Sequence, residues 1–511
     1  MDHANGRVGR ARAMGRVSLQ ILASAVMLLV APGTVCSQGD TPADTRLVGR
    51  WEGALQVGAI QLRVAIDVAA VPSGGYSATF DSIDQAATGL PVDAVSLEGS
   101  TVKFTMARLR VSFEGELAQD GLEIAGIFTQ GAELPLTLEK VEQATRLRRP
   151  QEPVKPYPYR EAEVAYSHDP EGDIESSFEP EGTPENKSRI TLAGTLTLPE
   201  GEPPFPAAIL ISGSGPQDRD EALLGHRPFL VLADHLTRRG IAVLRYDDRG
   251  VASSTGSMKN ADTHDFARDA HAGLLYLKTR TEIDADKIGL IGHSEGGLIA
   301  PLVAAKTKDV AYIVLLAGPG VSGEEILMLQ GRLLARAGGA SQGRLDDQEE
   351  QRRLLYSILR EEKDAAERRT KFAALLKESY EDLGELEQKG LGSRDPWVQQ
   401  QIAILESRWF RVFIDHNPRV TLGEVRCPVL AINGEKDLQV DADQNLPEIE
   451  KALAAAGNQD VTTVKLDGLN HLFQTCVTGS PSQYGKIEET FAPLALKTVA
   501  DWIAERFLGG R

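Results

Sequence analysis

Cysteine is scarce in this chain. Three residues, Cys36, Cys427 and Cys476, stand among 511. Cys427 precedes an apolar strand-like run and Cys476 follows a later loop, so they read as two separate buried thiols, although one disulfide is compatible with export. Lys/Arg clusters with interleaved aromatics are missing, which excludes nucleic acid as a partner. The turn Gly213-Ser214-Gly215 is followed by neither Gly-x-Gly-x-x-Gly nor Gly-Lys-Ser/Thr, so nothing calls for a dinucleotide, a phosphate loop or any other cofactor. Positive charge is in deficit, with 55 Lys and Arg against 73 Asp and Glu, and the net charge of −18 chiefly favours solubility. Apolar runs of the roughly 20 residues that span a bilayer are also lacking. The longest candidate, Val17–Val30, follows Arg7, Arg10, Arg12 and Arg16 and precedes Val35-Cys36-Ser37. That order reads as a signal peptide over residues 1–37, implying a secreted or periplasmic protein without stable membrane insertion once it is cleaved. An uncleaved anchor is the alternative; lipidation of Cys36 fits poorly with the bulky Val35 before it. Residues 1–37 carry a net +3, so their removal takes the chain to −21. Asn186-Lys187-Ser188 fits a glycosylation sequon.

The most informative stretch is Lys287-Ile288-Gly289-Leu290-Ile291-Gly292-His293-Ser294-Glu295-Gly296-Gly297, followed by an Ala-rich helical run to Lys306. An apolar strand, a Gly-His-Ser-Glu-Gly turn and a helix make a nucleophile elbow, in which two glycines leave room for a strained serine. The hydroxyl of Ser294 needs a base, and the base needs an orienting acid. His416 and His471 are the histidines that follow Ser294. His471, in a loop after the strand-like Val464–Leu466, is where the base belongs; His416 reads as a solvated helix-end residue. The acid belongs after the apolar run Pro428–Ile432. Asp437 has the expected spacing; Glu435 is early in the turn, and Asp441 reads as the cap of the next helix. Two backbone N–H groups, of Glu295 and of Ser214 at the end of the run Ala207–Ile211, are the candidate oxyanion donors. The Glu295 side chain would repel an oxyanion, so it is expected to turn away, towards Arg249 or Arg219.

Gly292-His-Ser-Glu-Gly-Gly297, Ser212-Gly-Ser-Gly-Pro-Gln-Asp-Arg-Asp220, Arg245-Tyr-Asp-Asp-Arg-Gly250, Asn433-Gly-Glu-Lys-Asp437 and Leu469-Asn-His-Leu-Phe473 together resemble bacterial exported α/β-hydrolases of the serine-esterase, serine-aminopeptidase-like and dienelactone-hydrolase-like group. The resemblance covers residues 160–508 and implies a Ser294, Asp437, His471 triad, the assignment already reached from order and spacing. It departs at Ser212, where many relatives have His, and at Val251–Ser254, where Gly is more usual.

Residues 46–142 alternate apolar and polar in six short runs and read as a small antiparallel β domain. A Pro-rich linker follows over residues 143–159. From 160 to 508, eight strand-like runs alternate with helices, which predicts an α/β fold with a mainly parallel sheet covered on both faces. Residues 322–420 interrupt that alternation with charged, helix-patterned sequence and read as a helical cap inserted between the sixth and seventh strands. Trp397, Trp409 and Phe410 either pack this cap or line the pocket, and packing is the preferred role. His264, Asp265, Asp269 and His271 suit a charged surface helix better than a metal site, and Asp247-Asp248-Arg249 suits a loop-fixing ion pair. The functional expectation is hydrolysis of small carboxylic esters of short to medium acyl chain through an acyl-enzyme. An aminopeptidase or amidase with the same triad, using Asp218, Asp220 or Glu221 for an ammonium group, is the second reading. A non-catalytic envelope binding protein is the third. Oligomeric state is not legible.

Overall fold

The computed structural model describes residues 44–57, 60–72, 74–83, 87–130, 132–142, 148–169, 189–384, 388 and 391–509. The residues read above as a signal peptide, with Cys36, and the Asn186 sequon lie outside the described residues. Those described fall into two compact units, one of residues 331–405 and one of the remainder.

The larger unit begins with nine strands: β1 (Gly49–Val57), β2 (Ile60–Ala70), β3 (Tyr76–Ser82), β4 (Ala87–Pro91), β5 (Ala94–Glu98), β6 (Thr101–Met106), β7 (Val111–Leu117), β8 (Glu123–Gln130) and β9 (Ala132–Val141). They form one antiparallel sheet in the order β4-β3-β2-β1-β9-β8-β7-β6-β5. Alternate residues of β6 and β7 are buried, as period-two sequence requires. Trp51, Phe80, Phe104, Phe113 and Phe128 fill the core on one face. The segment after the sheet is tied to loops far along the chain. The Arg149 guanidinium donates to the carbonyls of Leu224, Gly225, Gly485 and Ile487, and Gln151 bonds the backbone of Thr490 and Phe491.

The chain then runs β10 (Arg160–His168), β11 (Ile190–Leu198), β12 (Phe205–Ile211), α1 (Pro228–Arg238), β13 (Ala242–Tyr246), α2 (Thr263–Lys278), β14 (Ile283–His293), α3 (Gly296–Lys306) and β15 (Tyr312–Leu316). Among the described residues six helices follow: α4 (Gly323–Ala337), α5 (Gln342–Glu361), α6 (Ala365–Glu381), α7 (Arg394–Leu405), α8 (Arg408–Asp415) and α9 (Pro418–Leu422). The chain closes with β16 (Val429–Gly434), α10 (Ala442–Ala455), β17 (Val461–Leu466) and α11 (Pro493–Phe507). The second sheet has the order β10-β11-β13-β12-β14-β15-β16-β17 and is parallel from β13 to β17. Strands β12, β15 and β16 are buried throughout, because helices cover both faces. Alternate strand residues such as Ile209, Leu290 and Leu315 pack with α2, α3 and α10. Their neighbours Leu210, Ile291 and Leu316 pack with α1 and α11. Strand order reverses around β12, and in such sheets the crevice at the carboxyl ends of the strands holds the site.

The smaller unit has its own apolar contacts. Leu355, Phe372, Leu376, Val398 and Ile402 are buried, and the Trp397 and Tyr380 rings lie 5.6 Å apart.

Candidate active site

Strand β14 delivers Ser294 at its carboxyl end, and α3 starts two residues later. From Ile288 to Val303 every residue is buried except Ser294. Its backbone adopts φ 53°, a conformation that costs a non-glycine residue about 1–3 kcal/mol. The flanking glycines are required by contact. A Cβ on Gly292 would lie 1.9 Å from the Gly296 carbonyl oxygen, and one on Gly296 would lie 2.2 Å from that of Ile211. The strand-to-helix turn is therefore closed tightly onto β12. The Glu295 N–H falls in the first turn of α3, where the helix supplies no acceptor.

Asp437 and His471 come together from loops after β16 and β17. His471 Nδ1 and Asp437 Oδ2 are 2.7 Å apart, and both residues are buried. The other Asp437 oxygen accepts the N–H groups of Gln439 and Val440, which fixes the carboxylate. The alternatives are used elsewhere. Glu435 accepts from Gly468 N–H, and Asp441 caps α10 by accepting from Gln444 N–H. His416 ends α8 and lies 6.1 Å, ring to ring, from His264. It is half-buried rather than solvated, and burial with the nearby His264 holds its pKa down at about 4.

The residues on either side of Ser294 do more than the elbow motif suggests. His293 Nδ1 lies 2.9 Å from Glu221 Oε1, and its Nε2 lies 3.0 Å from the carbonyl oxygen of His471. Glu221 Oε1 also accepts the Gly213 N–H at 2.8 Å. A Cβ on Gly213 would meet Ser294 Cβ at 3.2 Å and His293 Nδ1 at 3.5 Å, so the loop after β12 is packed on Ser294. Glu295 is buried, but neither expected arginine reaches it. Its carboxyl accepts from the Thr263 hydroxyl at 2.7 Å, from the Trp409 indole at 2.8 and 3.0 Å, and from the Ser214 side chain. Burial raises its pKa above the ordinary 4.5 against those hydrogen bonds. Arg249 instead pairs with Asp265 and Asp269, and Arg219 with Asp247 and Glu163. Asp247, Asp248 and Arg249 accordingly do not pair with one another. Asp248 accepts from Ser212 and the Gln217 N–H. Sequence reasoning gave His293 no role of its own, and it named Glu221 and Trp409 only for other roles, an ammonium partner and cap packing.

The carboxylates proposed for an ammonium group are engaged internally. Asp218 accepts the N–H groups of Asp220 and Ala222, Asp220 pairs with Arg245, and Glu221 holds His293. Asp265 and Asp269 lie among arginines, and Asp269 also meets His168 at 2.7 Å. Cys427 and Cys476 are unpaired thiols, each half-buried.

The sequence profile of the alpha/beta hydrolase fold matches residues 214–474, more than half of the chain and all three of Ser294, Asp437 and His471. The chain belongs to the α/β-hydrolase family. Esterase EstD of Thermotoga maritima is 33% identical to this α/β hydrolase over 150 residues, which are 29% of the chain and 36% of that relative. The match thus spans about a third of the relative's length. Among solved structures, the esterase Pf2001 of Pyrococcus furiosus is 16% identical with a TM-score of 0.41, over 72% of this chain and 100% of that one. The α/β hydrolase GrgF of Penicillium sp. sh18 is 16% identical with a TM-score of 0.38, over 68% and 99%. Neither likeness to a solved structure speaks to substrate.

Proposed function

We propose that this α/β hydrolase is an exported serine esterase of the serine-aminopeptidase-like and dienelactone-hydrolase-like group, secreted or periplasmic after loss of residues 1–37. Ser294 Oγ attacks the acyl carbonyl while His471 Nε2 takes its proton. Asp437 holds the imidazole in the tautomer and orientation that this transfer needs. The N–H groups of Glu295 and Ser214 hold the oxyanion. As the tetrahedral species collapses, His471 returns the proton to the departing alkoxide, and the same steps with water release the acid. The observation that carries this reading is the 2.7 Å contact of His471 with a twice-bonded Asp437, at the same carboxyl end of the sheet as a strained, half-buried Ser294. Relatedness to an esterase over part of the chain supports the choice of substrate. The engagement of Asp218, Asp220 and Glu221 weighs against an aminopeptidase, whose substrate ammonium needs a carboxylate partner.

In this reading residues 322–420 serve as the cap. Their helices carry an apolar stripe that must also pack internally, so acyl chains of short to medium length are expected as substrates. Turnover of p-nitrophenyl esters from acetate to palmitate, beside amino-acyl p-nitroanilides, tests both points. Ester rates should exceed anilide rates and peak at short or medium chains. Faster anilide turnover, or a maximum at long chains with activation on emulsions, would reverse the assignment.

A further inference from the structure

Glu221 and His293 take no part in the proton transfers of the triad, yet both are buried beside them. Glu221 comes from the loop after β12 and has φ 51°, a strained setting for a residue with a side chain. Its Oε1 accepts the Gly213 N–H at 2.8 Å and meets His293 Nδ1 at 2.9 Å. The opposite ring nitrogen, Nε2, lies 3.0 Å from the His471 carbonyl oxygen. A carbonyl only accepts, so Nε2 carries a hydrogen. One further proton is then shared between Nδ1 and Glu221, giving a compact pair of no net charge. The chain of contacts runs from the Gly213 N–H through Glu221 and His293 to the backbone of His471. It joins the loop that presents Ser214 to the residue that bears the general base, and it passes directly beside Ser294.

Resting on the serine-esterase reading, we infer that Glu221 and His293 are positioning residues that together set the Gly213–Ser214 loop and His471 against Ser294. The electrostatics agree with the geometry. Burial works against an imidazolium at His293, but the Glu221 carboxylate, the His471 carbonyl and Asp437 outweigh it and hold the pKa above the ordinary 6.5. The titratable groups facing the ring are Glu221, His471 and Asp437, and Glu221 in turn acts on the buried Asp248. A pair that served stability alone would leave turnover unchanged in the folded enzyme. A pair that sets donor and base changes kcat and leaves ground-state binding alone.

The test uses the full chain and p-nitrophenyl acetate, with Glu221→Gln, His293→Gln, the double variant and Ser294→Ala. Each single variant should lower kcat by about 10- to 100-fold with KM within about three-fold, since small misplacements at a reacting centre have that effect. The double variant should be no slower than the slower single one, because both changes break one unit. Wild-type kcat in both single variants, or losses that multiply in the double variant, would overturn the inference. Should Glu221→Gln not fold, Glu221→Asp keeps the charge but withdraws it by one methylene. A fall in its kcat at constant KM supports the role and wild-type kcat overturns it. If Ser294→Ala keeps turnover, the esterase mechanism itself fails. If Ser294→Ala is inactive while the Glu221 and His293 variants behave as wild type, only the positioning role fails.

Discussion

At the scale of single residues, the Glu295 carboxyl is held away from the arginines expected to pair with it. Its carboxyl is buried against three neutral donors, Thr263, Trp409 and Ser214, with its pKa raised by burial from the ordinary 4.5. A carboxyl raised on folding binds its proton more tightly in the folded state. It therefore weakens the fold as pH climbs from 4.5 through the raised value, and the loss is complete above it. Gln at this position keeps one oxygen for the Thr263 hydroxyl and the Trp409 indole and cannot ionise. Glu295→Gln should therefore be more stable than wild type at pH 8 and equal to it near pH 4 in urea unfolding. A stability gap of the same size at both pH values contradicts this. The sequence marked Glu295 as a problem, since its charge lies near the expected oxyanion. It did not show the solution, because Trp409 is more than a hundred positions away and no local pattern links an indole N–H to a distant carboxyl. Ser294, Asp437 and His471 could be named as candidates because chain order and strand-to-loop spacing constrain them. Glu221 was visible only as one of several acidic residues in a loop.

At the scale of elements, glycine carries opposite meanings in different places. Gly292 ends a strand where a Cβ would meet backbone at 1.9 Å, whereas nothing lies within 4 Å of a Cβ on Gly343 in α5. Gly292→Ala should destabilise the larger unit by at least about 1–3 kcal/mol, the usual cost of overpacking. Gly343→Ala should stabilise by about 0.5–1 kcal/mol through helix propensity. Denaturant midpoints measure both, and a shared sign would show that the elbow is looser than its backbone contacts require. In the second sheet β12, β13, β15 and β16 were legible because strands buried on both faces are continuous apolar runs, whereas the antiparallel pair β10 and β11 was legible by alternation. Three strands of the first sheet were not: Ala87–Pro91, Ala94–Glu98 and Ala132–Val141. Gly89, Pro91 and Pro135 argue locally against strands, and β-sheet pairing overrides them. Pro135 in fact faces Ile127 across the β8–β9 ladder.

At the scale of the molecule, the segment around Arg149 and the loop before α11 are sewn to α1 through a buried histidine. His226 Nδ1 lies 2.9 Å from Thr490 Oγ1, and Nε2 lies 3.0 Å from the Tyr484 carbonyl oxygen. Burial, then the charge of Arg149, pushes its pKa down from 6.5 to about 4. The folded state thus binds fewer protons than the unfolded chain between those values. Stability from His226 is present above pH 6.5 and is lost as pH falls towards 4, by up to about 3 kcal/mol. Urea midpoints at pH 7.5 and pH 4.5 should show a large drop in wild type and a smaller one in His226→Asn. Equal drops would remove His226 from the acid response. Neither this stitch nor the docking of Arg149 was legible, because a Pro-rich segment gives no sign of the carbonyls it will meet.

The central claim is that Ser294 is an activated nucleophile, and covalent labelling tests it most directly. A fluorophosphonate should modify the wild-type chain at Ser294 alone, as located by peptide mass spectrometry. Ser294→Ala should stay folded, take no label and lose ester turnover. Labelling at another serine, or full ester turnover in Ser294→Ala, would contradict the account.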